Sequence, residues 1–398
     1  MTKLRVRGLT KVFGSHPRRA LELMEQGHTR PEILERTGQL LAVAEVDLDI
    51  EEGELFVVMG LSGSGKSTVI RMLNQLIEPT AGTIELDGER IDGLTGAALR
   101  SVRQRKMSMV FQHFALFPHR TVGENAAYGL KVQGIGEDER RERAVKALDT
   151  VGLGDRLDAY PHELSGGMQQ RVGLARGLAT EADILLMDEP FSALDPLIRR
   201  DMQDLLADLR GELDRTIVFI THDLNEAMRL GDRICVLKDG RVVQVGTGPE
   251  IIDNPANQYV EDFVSDVDRS RVLTAWQVMR DARRTYRPSD SPREVLEWLD
   301  EQEFNGVYVL DDRDRILGVA RDDRLAQGLR EGVTTVGELV IQDYASAGPD
   351  TLLADLAGIA ARHSVPIPVV DDGGRLLGVV PRPRLLAALS NEEAPANA

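Results

Sequence analysis

The chain holds a single cysteine, Cys235, among 398 residues. An intramolecular disulfide is therefore excluded, and a chain of this length can bury sizeable cores without covalent staples. Long apolar runs are also missing. Stretches such as Leu55–Met59 fall far short of the roughly 20 residues that a membrane-spanning helix needs. The start, Met1-Thr2-Lys3-Leu4-Arg5-Val6-Arg7, has no apolar segment of the signal-peptide kind. The expectation is a protein of a reducing compartment that neither follows a secretory route nor spans a membrane. Positive charge is in deficit as well, with 48 Lys and Arg against 65 Asp and Glu and a net charge of −17. A protein gripping nucleic acid through a general basic face is excluded on that balance. Lysine disappears altogether after Lys238, and arginine takes its place beyond that point.

Over the first two thirds, short β-branched runs alternate with longer amphipathic stretches, which predicts an α/β domain with a largely parallel sheet. Strands are expected at Leu55–Met59, Met107–Phe111, Ile184–Met187, Ile217–Ile220 and Ile234–Leu237. Between about Thr121 and Thr180 the pattern turns mainly helical, as an inserted helical subdomain would. An insertion over about 16–40 reads as two short helices, Ala20–Gln26 and Pro31–Arg36, around a turn with Gly27. Such a pair can serve in DNA reading, but in an acidic chain a peripheral insertion is expected.

The last third contains an internal repeat at a spacing of sixty residues. Without a gap, Asp290 falls on Asp350, Val309 on Val369, Asp311-Asp312 on Asp371-Asp372 and Arg315 on Arg375. Leu317-Gly318-Val319 falls on Leu377-Gly378-Val379, and Arg324-Leu325 on Arg384-Leu385. Each copy reads helix (Pro292–Glu303; Leu352–His363), strand (Val307–Leu310; Ile367–Val370), acidic turn, strand, helix. One copy alone could bury little, so two copies packed as one module are expected. The polar tail 391–398 is expected to be disordered.

Gly60-Leu61-Ser62-Gly63-Ser64-Gly65-Lys66-Ser67-Thr68 follows one of the expected strands and opens a helix expected to run through Leu76. It fits the G-x-x-x-x-G-K-[ST] phosphate loop. The glycines let backbone N–H groups curl around phosphates, and the helix N-terminus adds positive potential. Lys66 is placed to reach the β- and γ-phosphates, and Ser67 to offer a hydroxyl to Mg²⁺. Downstream, Ile184-Leu185-Leu186-Met187 ends in Asp188-Glu189. A buried strand delivers its last residues to the carboxyl edge of the sheet, beside the phosphate loop. Asp188 is then the carboxylate on the Mg²⁺ side, and Glu189 the base that polarises water for attack on the γ-phosphate.

Leu164-Ser165-Gly166-Gly167-Met168-Gln169-Gln170-Arg171 resembles the signature motif of ABC ATPases, and the family's other elements follow in its order. Gln112 resembles the Q-loop glutamine, Ser192-Ala193-Leu194-Asp195 the D-loop, and His222 the switch histidine. Phe13 stands where the family stacks an aromatic ring on adenine. Met168 departs from the commonest signature, which has glutamine there. The resemblance implies an ATP site built from Phe13, Gly60, Ser62, Gly63, Ser64, Gly65, Lys66, Ser67, Thr68 and, from another subunit, Ser165, Gly166 and Gly167. It implies Mg²⁺ held by Ser67, Gln112 and Asp188, and catalysis by Glu189, His222, Lys66 and Gln112. With one phosphate loop and one signature, the chain is expected to pair with a second copy or a homologue.

The stretch from Phe111 to Asn125, with Phe114 and Phe117, is similar to the segment that grips the membrane subunits of bacterial importers. The insertion before Leu41, the run Val57–Thr68 and Phe191–Arg199 together resemble the ATP-binding subunits of glycine betaine/proline importers, the ProV type. The terminal repeat resembles their paired CBS domains. The implied architecture is an ABC-type P-loop ATPase domain with a helical subdomain over 1–268, then an α+β tandem CBS module over 269–390. The implied partners are a second ATPase subunit, permease subunits and, through these, a substrate-binding protein, with no nucleic acid. The implied place is the cytoplasmic face of the bacterial plasma membrane. Importers of methionine or polyamines, and soluble ABC proteins, are the alternatives. A sensor with a silent ATPase is a third, opposed by the intact Lys66, Glu189 and His222.

In CBS domains that bind adenosine nucleotides, a strand ending Gly-apolar-apolar is followed by a Ser or Thr and then by an aspartate that holds the ribose. Here the first copy reads Gly318-Val319-Ala320-Arg321-Asp322-Asp323-Arg324, and the second Gly378-Val379-Val380-Pro381-Arg382-Pro383-Arg384. The hydroxyl positions hold Arg321 and Pro381, and the acid positions hold Arg324 and Arg384. Arginine cannot accept the ribose hydrogen bonds, so ordinary AMP or ATP binding there is disfavoured. Three readings stay open. The module binds an anionic partner such as a cyclic dinucleotide or an anionic lipid, responds to salt through charge pairs, or only holds a dimer together.

Overall fold

The computed structural model describes residues 1–112, 114–212, 215–265, 268–302 and 304–390. The tail 391–398, and Glu303 at the expected end of the first repeat helix, lie outside the described residues. The chain divides into two compact units, Met1–Asp266 and Val267–Ala398.

The first unit opens with β1 (Thr2–Phe13), the helices α1 (Pro17–Glu25) and α2 (Arg30–Thr37), and β2 (Leu40–Glu51). β1 and β2 pair antiparallel, with Leu4 opposite Ile50 and Val6 opposite Leu48, all four buried. Next come β3 (Leu55–Met59), the loop 60–65 and α3 (Lys66–Leu73). α3 ends short of the expected Leu76, because Gln75 takes a positive φ and the Asn74 carboxamide oxygen accepts from the Leu76 N–H at 3.0 Å. β4 (Ala81–Leu86) and β5 (Glu89–Arg90) complete an antiparallel sheet of order β2-β1-β4-β5.

After α4 (Gly96–Arg105) and β6 (Met107–Val110) lies the expected helical block. It comprises α5 (Val122–Ala126), α6 (Tyr128–Gln133), α7 (Glu137–Thr150) and α8 (Gly166–Ala179). The chain then returns through β7 (Ile184–Asp188), α9 (Pro196–Glu212), β8 (Thr216–Thr221), α10 (Leu224–Leu230), β9 (Arg233–Lys238) and β10 (Arg241–Gly246). α11 (Gly248–Asp253) and α12 (Gln258–Val264) close the unit. The main sheet has the order β10-β9-β3-β8-β7-β6, parallel except for the β10 edge. The five strands expected from the sequence all lie in it. Strands β3, β7 and β8 are buried along their whole length, as parallel strands covered on both faces are. A core of Leu4, Ile50, Phe56, Ile70, Leu186 and Ile220, among others, joins the two sheets.

In the second unit, α13 (Ala275–Val278) precedes a first copy made of α14 (Pro292–Gln302), β11 (Gly306–Leu310), β12 (Ile316–Arg321) and α15 (Asp322–Glu331). A second copy follows with α16 (Leu353–Ala360), β13 (Ile367–Val370), β14 (Leu376–Val380) and α17 (Arg382–Ser390). The acidic turns recur for a local reason. Asp311 accepts from the N–H groups of Arg313 and Arg315, and Asp371 from those of Gly373 and Arg375. The copies also exchange their lead-in segments. Ala275 and Val278 pack in the core of the second copy, and Arg280 pairs with Val379; Val336 packs in the core of the first, and Ile341 pairs with Val319. Neither copy is complete alone, which is the packing reason for a tandem module.

Candidate functional site

The loop 60–65 is set by backbone geometry that only glycine meets easily. Gly60 has φ +150°, and a Cβ there would lie 2.2 Å from the Leu237 carbonyl oxygen; at Gly65, with φ +104°, it would lie 2.6 Å from that of Ala42. Ser62 and Gly63 are exposed, Ser67 and Thr68 half-buried, and Lys66 buried at the start of α3. The Lys66 ammonium donates to the carbonyls of Gly60 at 2.8 Å and Leu61 at 3.1 Å. Burial pulls its pKa below the usual lysine value, against the opposing pull of the Glu189 and Asp188 carboxylates.

β7 brings Asp188 to the loop. The Ser67 hydroxyl donates to Asp188 Oδ1 at 2.8 Å, and Arg71, one turn along α3, donates to Oδ2 at 3.1 Å. Glu189 follows with φ +46°, an unusual conformation for a residue with a Cβ, held by its N–H bond to the Ile220 carbonyl at 3.1 Å. Its carboxylate lies 3.9 Å from the Lys66 ammonium and 3.2 Å from His222 Nδ1. On the other side, Gln112 donates to the Ser192 hydroxyl at 3.2 Å, and that hydroxyl donates to the Glu189 carbonyl at 3.0 Å. The expected residues Lys66, Ser67, Gln112, Asp188, Glu189 and His222 are thus linked in one cluster. Arg71 and Ser192 belong to it without being among the expected site residues. Arg71 carries a signal in the sequence, since it lies one helical turn after Ser67 on the same face.

Other expected residues stand apart. Phe13 ends β1 half-exposed, with the Lys11 ammonium 5.3 Å from its ring centroid. Ser165 caps α8 and accepts from the Met168 N–H at 3.4 Å, and Ser165 and Gly166 are exposed. A Cβ on Gly167 would lie 2.3 Å from Ile198 Cγ2. Among the described residues, no hydrogen bond or ion pair joins Phe13 or residues 165–167 to the loop 60–68. His113 lies outside the described residues.

The residues suit a nucleotide and its cation. The Ser64 hydroxyl is buried with no hydrogen-bond partner among the described residues, and the Lys66 ammonium donates to the loop's own carbonyls. Among the described residues no group of three or more His, Cys, Asp or Glu is placed to hold a metal. Mg²⁺ needs no such cage, since it takes one or two protein oxygens together with phosphates and water.

Residues 43–192 match the ABC transporter family, and residues 336–391 match the CBS domain. The chain is 47% identical over 398 residues to the glycine betaine transport ATP-binding protein OpuAA of Bacillus subtilis, covering all of this chain and 94% of that one. It belongs to the ATP-binding subunits of ABC transporters of the glycine betaine type. A second member, the glycine betaine/carnitine transport ATP-binding protein GbuA of Listeria monocytogenes, is 47% identical over the full length of both chains. ProV of Salmonella typhimurium, from a glycine betaine/proline betaine transport system, is 48% identical over 98% of each. Among solved structures, the dimeric, ADP- and phosphate-bound ATP-binding cassette MJ0796 superposes with a TM-score of 0.53 at 34% identity. The match covers 62% of this chain and 98% of that one.

The chain also carries a groove of about 250 Å³, lined by Leu76, Met109, Phe111, Tyr128 and Val132 together with polar residues that include Arg103 and Arg176. The groove adjoins the segment expected to grip a permease. Phe117, from that segment, is engaged within the protein. Its ring lies 4.5 Å from that of Tyr128 and 4.9 Å from the Arg120 guanidinium, and Asn125 bonds its backbone on both sides. No helix among the described residues is long and apolar enough to cross a membrane.

Proposed function

We propose that residues 1–268 hydrolyse ATP to drive import of glycine betaine- or proline betaine-type solutes through a permease, and that residues 269–390 regulate this. The observation that carries the reading is the cluster in which Glu189 lies between Lys66 and His222, beside Asp188 bonded to Ser67. In this reading Phe13 stacks on adenine, and Gly60, Ser62, Gly63, Ser64, Gly65 and Thr68 line the phosphates. Ser67, Gln112 and Asp188 would hold Mg²⁺, which when bound neutralises phosphate charge. Lys66 contributes a fixed positive charge at the β- and γ-phosphates. Glu189 accepts the proton of the attacking water, and His222 holds its carboxylate in place. Ser165, Gly166 and Gly167, exposed or at the head of a 14-residue helix, serve the nucleotide of a second copy. The groove beside Gln112 takes a permease segment, which places the chain peripherally on the cytoplasmic membrane face; a substrate-binding protein acts through that permease. For the second unit, its arginine–aspartate pairs favour a response to salt, with an anionic second messenger or lipid as the other source of control.

Glu189→Gln keeps the shape of the side chain and removes the base. Turnover is expected to be lost while ATP and Mg²⁺ trap a dimer visible by size-exclusion chromatography. Wild-type turnover in that variant would refute the assignment.

A further inference from the structure

Residues 16–40 are not required by the phosphate loop motif, yet they touch the phosphate loop and the strand end that carries Phe13. Arg30, the first residue of α2, donates from Nη1 to the Gly63 carbonyl at 2.9 Å. At the other anchor, Gln39 is buried, accepts from the His16 N–H at 3.0 Å and donates to the Thr37 carbonyl at 3.1 Å. Its Oε1 fills the space that a Cβ on Gly14, the residue after Phe13, would need. Between the anchors the insertion is firmly seated. Ala20, Met24 and Ile33 pack with Val12, Leu41 and Ala44 of β1 and β2. The Thr29 N–H and hydroxyl both bond Glu32, fixing the turn that presents Arg30.

A loop rich in positive-φ glycines has many alternative conformations, and ordering it on ligand binding costs affinity. A guanidinium anchored on a packed helix pair and bonded to a carbonyl of that loop removes some of those alternatives beforehand. We propose that the 16–40 insertion is a brace for the nucleotide site, with Arg30 as a positioning residue for the phosphate loop. The inference rests on the reading of residues 60–68 as the ATP site. Arg30 acts through the loop and not on the reacting atoms, so it governs affinity rather than turnover.

The test measures ATP binding to the full chain by calorimetry, together with KM and kcat. Arg30→Ala is expected to raise Kd and KM about three- to tenfold and leave kcat within about twofold. Arg30→Lys, which keeps a cation and a donor, recovers part of the loss. Thermal melting checks that both variants stay folded, as a half-buried position at a helix start allows. Unchanged Kd in Arg30→Ala, a fall in kcat at constant KM, or Arg30→Lys binding no better than Arg30→Ala overturns the brace. A Lys66→Ala chain separates the two levels. If it binds ATP as wild type does, the reading of the loop has failed; if its binding is lost, the Arg30 result bears on the brace alone.

Discussion

At the scale of single residues, the chemistry of the site depends on carboxylates placed by strand ends. Glu226 shows what burying a carboxylate near such an end costs. It is buried on α10, where Gln203 donates to one oxygen at 2.9 Å and Thr221 to the other at 2.5 Å. Burial raises its pKa, with Asp223 adding to the rise and the hydrogen bonds and Arg199 opposing it. A raised carboxyl binds its proton more tightly folded than unfolded. Its stabilising contribution is therefore complete below the unfolded pKa and is lost as pH climbs through the folded one. Glu226→Gln mimics the protonated form. Its melting temperature should match wild type below the ordinary carboxylate pKa, exceed it by a growing margin as pH rises above that value, and then level off; an advantage that shrinks with pH would contradict this. Asp188 was legible in the sequence because an apolar strand ending in two acids has one place to go in a parallel sheet. Arg71 was partly legible, one helical turn after Ser67, and Ser192 only as part of a motif, whereas Arg30 was not, because its contact joins distant parts of the chain. Arg30 and Gly63 are 33 positions apart.

At the scale of elements, β3, β7 and β8 were legible because burial on both faces makes each a nearly unbroken apolar run. The antiparallel sheet is absent from the sequence reading although β1 carries a signal, inward Leu4 and Val6 alternating with outward charges. The end of α3 differs from the expected one because a side-chain cap at Asn74 and one positive φ terminate it. Phe117 of the expected permease-gripping segment packs its ring against the chain's own Tyr128 and Arg120, and the groove lined by Phe111 and Tyr128 lies beside that segment. Val132 on α6 lines that groove and is 45% exposed, so it can be changed without opening the core. Val132→Asp should cut transport by the assembled importer severalfold and leave the ATPase of the isolated subunit near wild type. Equal losses in both would mean that the groove serves folding, not coupling.

At the scale of the whole molecule, the second unit sets the question of control. Its exposed ion pairs include Arg315–Asp311 at 2.8 Å and Arg321–Asp343 at 3.0 Å. Such contacts weaken as the screening length falls from about 10 Å at 0.1 M salt to about 3 Å at 1 M. If residues 269–390 restrain the importer at low salt, transport should rise with salt in the full chain. A chain truncated after Asp268 should be active and flat over the same range, and full salt activation in the truncated chain would remove the second unit from the account. The repeat itself was legible from a fixed sixty-residue spacing. The exchange of lead-in segments was not, since it joins Arg280 to Val379 across nearly the whole module.

The most direct test of the central claim is ATP-driven uptake of labelled glycine betaine into proteoliposomes that hold this chain with its permease subunits. Uptake should require ATP and Mg²⁺ and should vanish with Glu189→Gln. Undiminished uptake by Glu189→Gln, or ATP hydrolysis by the assembled importer that glycine betaine uptake never accompanies, would contradict it.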